Sequence, residues 1–235
     1  MQAYLEQFYK SLAGWKGSLI KVEHVQEANA KEYLSKLAKA GLVEKVRWGW
    51  YWIPDKAQAR DFWEFLRKDR SFKIIAGQTA ASFWNHDFIH REVYIVKVKD
   101  PSYGSALQAF AESRGWNVVV EPFEEDRKYV KVKGISVETL EDCIIECMRR
   151  WAFTDAFAAL YENRKRELFS SLAKRSYWIR IPKTDVRVRQ ALGYGCYRLN
   201  EAVGDKIFPV RKTDLEDSFV RKEIDEAIEK VVELG

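Results

Sequence analysis

The order of amphipathic segments in the first 54 residues constrains this chain most. Tyr4, Leu5, Phe8, Tyr9 and Leu12 recur at helical spacing, which predicts an amphipathic helix over 2–12. Residues 13–17 form a break, and 18–25 combine a short extended piece at Leu19-Ile20 with a short helix. Asn29 stands where an N-cap belongs, ahead of a helix over 29–40 with Leu34, Leu37 and Ala38 on one face. Gly41 is a natural stop for it. Between Leu42 and Pro54, Val43, Lys45 and Arg47 stand on one side of a turn at Trp48-Gly49, and Tyr51 and Ile53 on the other. That is a β-hairpin pattern. Helix, short helix, helix and hairpin is the order of a winged helix-turn-helix. In that arrangement two packed helices hold a third so that its polar face enters a major groove, and the hairpin reaches over the adjacent backbone.

The expected fold class is α+β: an N-terminal winged helix-turn-helix over 1–55, then a mixed α/β domain over 56–235 with a long helical C-terminal part. The second domain opens on a linking helix, 55–70, with Phe62, Trp63, Phe65 and Leu66 on its apolar side. Strands are expected at 72–77, 91–98, 116–123, 129–134 and 177–182. Helices are expected at 78–84, 102–114, 139–150 and about 154–174. A further helix over 186–203 carries an interruption at Gly193-Tyr194-Gly195, and a final one spans 215–234.

A hydrophobic content of 47% with 14% aromatic residues supports packed cores and excludes disorder as the dominant state. Three cysteines, Cys143, Cys147 and Cys196, are too few for a disulfide scaffold or a structural zinc site. The chain has no apolar run long enough to span a membrane and no signal-peptide pattern at its start, so a cytoplasmic setting without membrane partners is expected. The net charge of +5 permits nucleic-acid binding without arguing for it. Its distribution says more. Residues 31–47 hold five basic and two acidic side chains. Residues 164–189 hold nine basic and two acidic ones, and residues 201–235 ten acidic and six basic ones.

Three segments carry a resemblance. The first is the run from Gly41 to Pro54, the second is Ala76-Gly77-Gln78-Thr79-Ala80 at a helix start, and the third is Gly134 to Thr139 leading into a helix. Over roughly residues 1–175 this succession resembles the AbiEi-type antitoxins, transcriptional regulators of type IV toxin–antitoxin systems. The resemblance implies a winged helix joined to an α/β domain and DNA binding at the protein's own promoter. It also implies a partner toxin of nucleotidyltransferase fold.

Read from the residues, the DNA-facing set is Asn29, Lys31, Glu32, Ser35 and Lys36 at the helix start, where base contacts concentrate. Lys39, Lys45 and Arg47 suit phosphates, which position without specifying. Trp48, Trp50 and Trp52 form an alternating stripe that either stacks on sugar or base, or closes an interface with the second domain. Packing is favoured, because tryptophan prefers partly buried sites. Arg164, Lys165, Arg166, Lys174, Arg175, Arg180, Lys183, Arg187 and Arg189 offer a second basic surface for nucleic acid, for a toxin or for the acidic tail, or merely a solvated face. A homodimer is compatible with either role.

Chemistry finds less support. His86 and His90 have helical spacing, but Asp87 stands where a metalloprotease helix carries Glu, and no third ligand is evident. Cys143 and Cys147 suit buried thiols on an apolar helix face. Gly104-Ser105 lacks the carboxylate pair of a nucleotidyltransferase. Asp126-Arg127-Lys128 follows Glu121, Glu124 and Glu125 in a nuclease-like order, at a turn that is acidic for ordinary reasons. The expectation is a protein without enzymatic activity or cofactor, bound to double-stranded DNA. A metal-dependent nuclease and an interaction module, each targeted by a winged helix, are the alternatives.

Overall fold

The structure, a computed structural model, describes residues 3–55, 61–85, 93–125, 127–164, 185–208, 210, 215 and 220–234. The chain is mixed α+β. It begins with α1 (Ala3–Ser11), a 3-10 turn (Leu12–Trp15), β1 (Ser18–Lys21) and a second 3-10 turn (Val22–His24). Then come α2 (Ala30–Lys39), β2 (Glu44–Arg47), β3 (Trp50–Ile53), α3 (Phe62–Lys68), β4 (Lys73–Ile75), α4 (Gly77–Trp84) and β5 (Val93–Val98). α5 (Pro101–Ser113), β6 (Asn117–Pro122), β7 (Tyr129–Val132) and β8 (Ile135–Glu138) follow. The described chain closes with α6 (Leu140–Arg149), α7 (Phe153–Glu162), α8 (Val186–Val203) and α9 (Arg221–Leu234). Two compact units result: Met1–Ile74 with Glu92–Glu125 and Lys133–Ser136, and Ile75–Arg91 with Asp126–Val132 and Val137–Gly235.

In the first unit the N-terminal strands form an antiparallel sheet in the order β1-β3-β2. Ile20 and Lys45 both register with Tyr51 in the central strand. Phe8, Leu12, Leu34 and Leu37 from the helical segments meet Ile20, Tyr51 and Ile53 from the strands, and Val43 just before β2, in one buried cluster. Apolar faces at helical period meeting strand residues at period two account for this core. Asn29 does stand at the N-cap of α2, but its side chain makes no capping hydrogen bond.

α3 is capped by Asp61, whose carboxylate accepts from the Glu64 N–H at 2.7 Å. Its successor Asp69 is buried and anchors the unit. Asp69 accepts from the Leu19 backbone N–H at 2.9 Å, from Tyr103 Oη at 2.7 Å and from Lys73 Nζ at 2.8 Å. One carboxylate thus ties β1, β4 and α5. A buried charge persists where it is paired and hydrogen-bonded. α5 starts at Asp100, which accepts from the Ser102 N–H, with Pro101 in the first turn. β5 and β6 run parallel, with Ile95 opposite Val119.

In the second unit Ile75 and Val137 register in parallel. The segment after Gly134 differs from expectation. The sequence predicts one strand at 129–134, yet a separate strand, β8, follows β7 at Ile135–Glu138. Lys133 and Gly134, at φ 49° and 82°, turn the chain from β7 into β8. Two consecutive residues of positive φ suit a two-residue hairpin loop. Ile135 and Val137 are buried, Ser136 between them is half-buried, and Glu138 at the end of the strand is buried as well.

α8 also departs from expectation, because it runs unbroken through Gly193 and Gly195. Gly195 serves close packing rather than a break. A Cβ on Gly195 would lie 1.9 Å from Phe157 Cζ, so α8 meets the α7 ring at a distance only glycine allows. α7 ends at Glu162, with Asn163 as its cap and the Asn163 side chain bonded to Trp84 O; the remainder of the expected helical stretch, 165–174, lies outside the described residues. The expected strand at 177–182 lies outside the described residues.

Candidate nucleic-acid interface

Of the predicted residues, α2 and the β2–β3 hairpin bring Lys31, Lys45 and Trp48 together on the exposed surface of the first unit. Gly49, at φ 74°, supplies the left-handed residue of the turn. Its carbonyl accepts from the Val22 N–H at 2.9 Å, which fastens the hairpin tip to the second 3-10 turn. β2 carries a register shift between Lys45 and Arg47. A bulge of this kind re-aims the side chains beside it.

Lys45 and Arg47 point to solvent, and Trp48 at the tip is 79% exposed. Lys31, from the first turn of α2, places Nζ 5.1 Å from the Trp48 ring centroid, and Lys45 places its own at 5.8 Å. Both distances lie in cation–π range. Two ammoniums distant in sequence therefore converge on one exposed indole.

The other assigned residues divide. Asn29, Glu32 and Lys39 are exposed and Ser35 is half-buried. Lys36 turns toward its own scaffold. It pairs with Glu32 and donates to Tyr4 Oη at 3.2 Å. The bond to Glu32, with that to Tyr4 behind it, holds the Lys36 pKa above its ordinary value. Lys36 is therefore engaged on α1 and α2 when the protein is free.

The tryptophan stripe is not one face. Trp50 and Trp52 are 2% and 4% exposed and pack on α5, with ring centroids 5.7 Å from Tyr103 and 5.2 Å from Phe110 respectively. Arg114 stacks over Trp52 at 4.9 Å and pairs with Glu44 of β2 at 2.6 Å. The packing expected of the stripe holds for these two rings, and their partners lie within the same compact unit. Trp48 belongs to the turn and escapes the packing.

Sequence reasoning missed the setting of His24, which stacks on Trp15 at 6.2 Å and meets Trp50 edge-on at 5.9 Å. It also missed the Asp69 network. No spacing signal marks the network, because Leu19 and Tyr103 reach Asp69 from distant segments.

Of the second basic surface, Arg164 donates to Tyr161 O at 2.7 Å and lies 3.6 Å from that ring's centroid. Arg187 is exposed and Arg189 half-buried on α8. Lys165, Arg166, Lys174, Arg175, Arg180 and Lys183 lie outside the described residues, as do His86, Asp87, His90 and Asp126. Arg127, beside that acidic turn, pairs with Asp142 at 3.7 Å and Glu146 at 3.2 Å. Arg150, at the C-cap of α6, joins Glu146 at 2.9 Å.

Among the described residues no group of three or more His, Cys, Asp or Glu side chains could hold a metal ion. Cys143 is buried with its thiol directed at Gly77 O, 3.4 Å away, and burial, followed by the neighbouring Cys147, pushes its pKa well up. A thiol held protonated in this way is a poor nucleophile.

The two further segments that carry the resemblance meet each other in the second unit. The Gly77 N–H at the start of α4 donates to Glu138 Oε2 at 2.9 Å. A carboxylate at a helix N-terminus satisfies a free N–H and complements the dipole. No described helix is long and apolar enough to cross a membrane. No protein-family model matches the chain, and no curated protein matches it in sequence.

Proposed function

We propose that this chain is a winged helix-turn-helix regulator that binds double-stranded DNA through α2 and the β2–β3 hairpin and represses its own promoter by occupying it. The convergence of Lys31 and Lys45 at the exposed hairpin tip is the observation that carries this reading. With Lys39 and Arg47 they form a cationic surface suited to phosphates, whose counterions they displace. Asn29 at the N-cap of α2, with Glu32 and Ser35 on the helix, supplies the groups for base edges. Repression of this kind needs occupancy and no catalysis.

The same proposal makes the protein the antitoxin of a type IV-like pair. The resemblance at Ala76–Ala80 and Gly134–Thr139 supports that part, and the Gly77–Glu138 hydrogen bond joins those segments. The second unit then engages a nucleotidyltransferase-fold toxin or a second copy of the chain.

A salt titration of binding to the DNA upstream of the coding sequence, beside a scrambled duplex of equal length, tests the regulator. Tighter binding to the native duplex with a steep salt slope is expected. Equal affinity for both duplexes, or none for either, overturns it.

A further inference from the structure

Trp48 is an unusual residue to leave in water. Burying a large aromatic side chain is among the more favourable contributions a core residue makes, and Trp50 and Trp52 in the same hairpin are almost wholly buried. Trp48 instead stands 79% exposed at the tip. The tip does not hang from a loose loop. The Gly49 carbonyl is held by the Val22 N–H, and every residue of β3 behind it is buried. Lys31 and Lys45 lie over the ring at 5.1 Å and 5.8 Å, and Arg47 is exposed beside it. A fixed apolar blade ringed by cations matches a polyanion with stackable planes inside it. It matches an apolar protein pocket poorly, because the ammoniums would lose water without gaining a partner.

We infer that Trp48 is a wedge that enters the bound duplex at a base step and selects deformable pyrimidine–purine steps. This rests on the DNA-binding reading above and adds a mode of recognition to it. In the free protein the two lysines hold the indole upright through cation–π contact. On binding they turn to the phosphates flanking the step, and the uncovered ring replaces part of the lost base stacking. Inserted apolar side chains unstack and kink DNA in this manner. TA and CA steps unstack most readily, so the energy of deformation becomes sequence selection without a hydrogen bond to any base.

The test uses the full chain and a series of duplexes from its upstream DNA, each carrying 2-aminopurine at a different pyrimidine–purine step. Anisotropy reads binding, and 2-aminopurine emission reads unstacking. The wild-type protein is expected to raise the emission at one step, and replacement of that step by an A-tract to weaken binding about tenfold. Trp48→Phe is expected to keep both effects in part. Trp48→Ala is expected to abolish both while its thermal melt stays with the wild type. If Trp48→Ala binds, discriminates and unstacks as the wild type does, the wedge is overturned and DNA binding stands. If the wild type binds no duplex, both fall, and a binding surface for another protein takes their place.

Discussion

Trp48 and its neighbours Trp50 and Trp52 share a residue type, a hairpin and an alternating spacing, yet they end in opposite environments. Trp50 and Trp52 are 2% and 4% exposed against α5, and Trp48 is 79% exposed. Alternation assigns residues to a face of a strand, and it does so only while the ladder is regular. The shift between Lys45 and Arg47 and the turn at Trp48-Gly49 end that regularity at Trp48. Two tryptophans therefore belong to the core, and the third stands in solvent.

The largest effect expected from breaking this arrangement is at Asp69, which fixes the α5 tyrosine beneath Trp50. Asp69→Ala leaves the Lys73 ammonium buried without its carboxylate. Denaturant unfolding is expected to show a loss of about 3–5 kcal/mol. Next comes the hairpin pair itself. Trp52→Ala is expected to cost about 3 kcal/mol, as truncation of a packed tryptophan does. Trp48→Ala is expected to stay within about 0.5 kcal/mol, as surface substitutions do. Equal losses for the two would dissolve the contrast.

A smaller effect appears with pH. Burial first, and the Asp69 carboxylate second, push the Tyr103 pKa well above its ordinary value of 10.0. The unfolded chain gives up this proton near pH 10, and the folded chain keeps it. The contribution is full below that pH and is lost as pH rises beyond it. Melting temperatures taken from pH 8 to 11 should fall at the alkaline end, and less steeply in Tyr103→Phe.

Much of the α+β layout was legible in the sequence because it rests on local periodicity. α2 lies within one residue of each end of the expected 29–40 helix, and the β2–β3 hairpin falls where Trp48-Gly49 places its turn. The errors arose where local signals carry two meanings. Gly134 reads as the end of a strand but sits at the centre of a turn between two strands. Gly193 and Gly195 read as a helix break, but the helix runs through both and Gly195 admits Phe157 at close range. At the candidate interface, the sequence marks Lys36 and Lys31 alike as cations on one helix. Only the packed structure shows Lys36 held by Glu32 and Tyr4, and Lys31 directed to Trp48. Contacts between distant segments, such as Asp69 with Leu19 and Tyr103, leave no periodic trace at all.

The central claim is that the cations at the hairpin tip meet DNA. The most direct measurement is the salt dependence of duplex binding for the wild type and for the double variant Lys31→Gln, Lys45→Gln. Each lost phosphate contact lowers the slope by about 1. A slope reduced by about 2, weaker binding and an unchanged thermal melt are predicted. An unchanged slope and affinity would contradict the claim and place the DNA-binding surface elsewhere on the molecule.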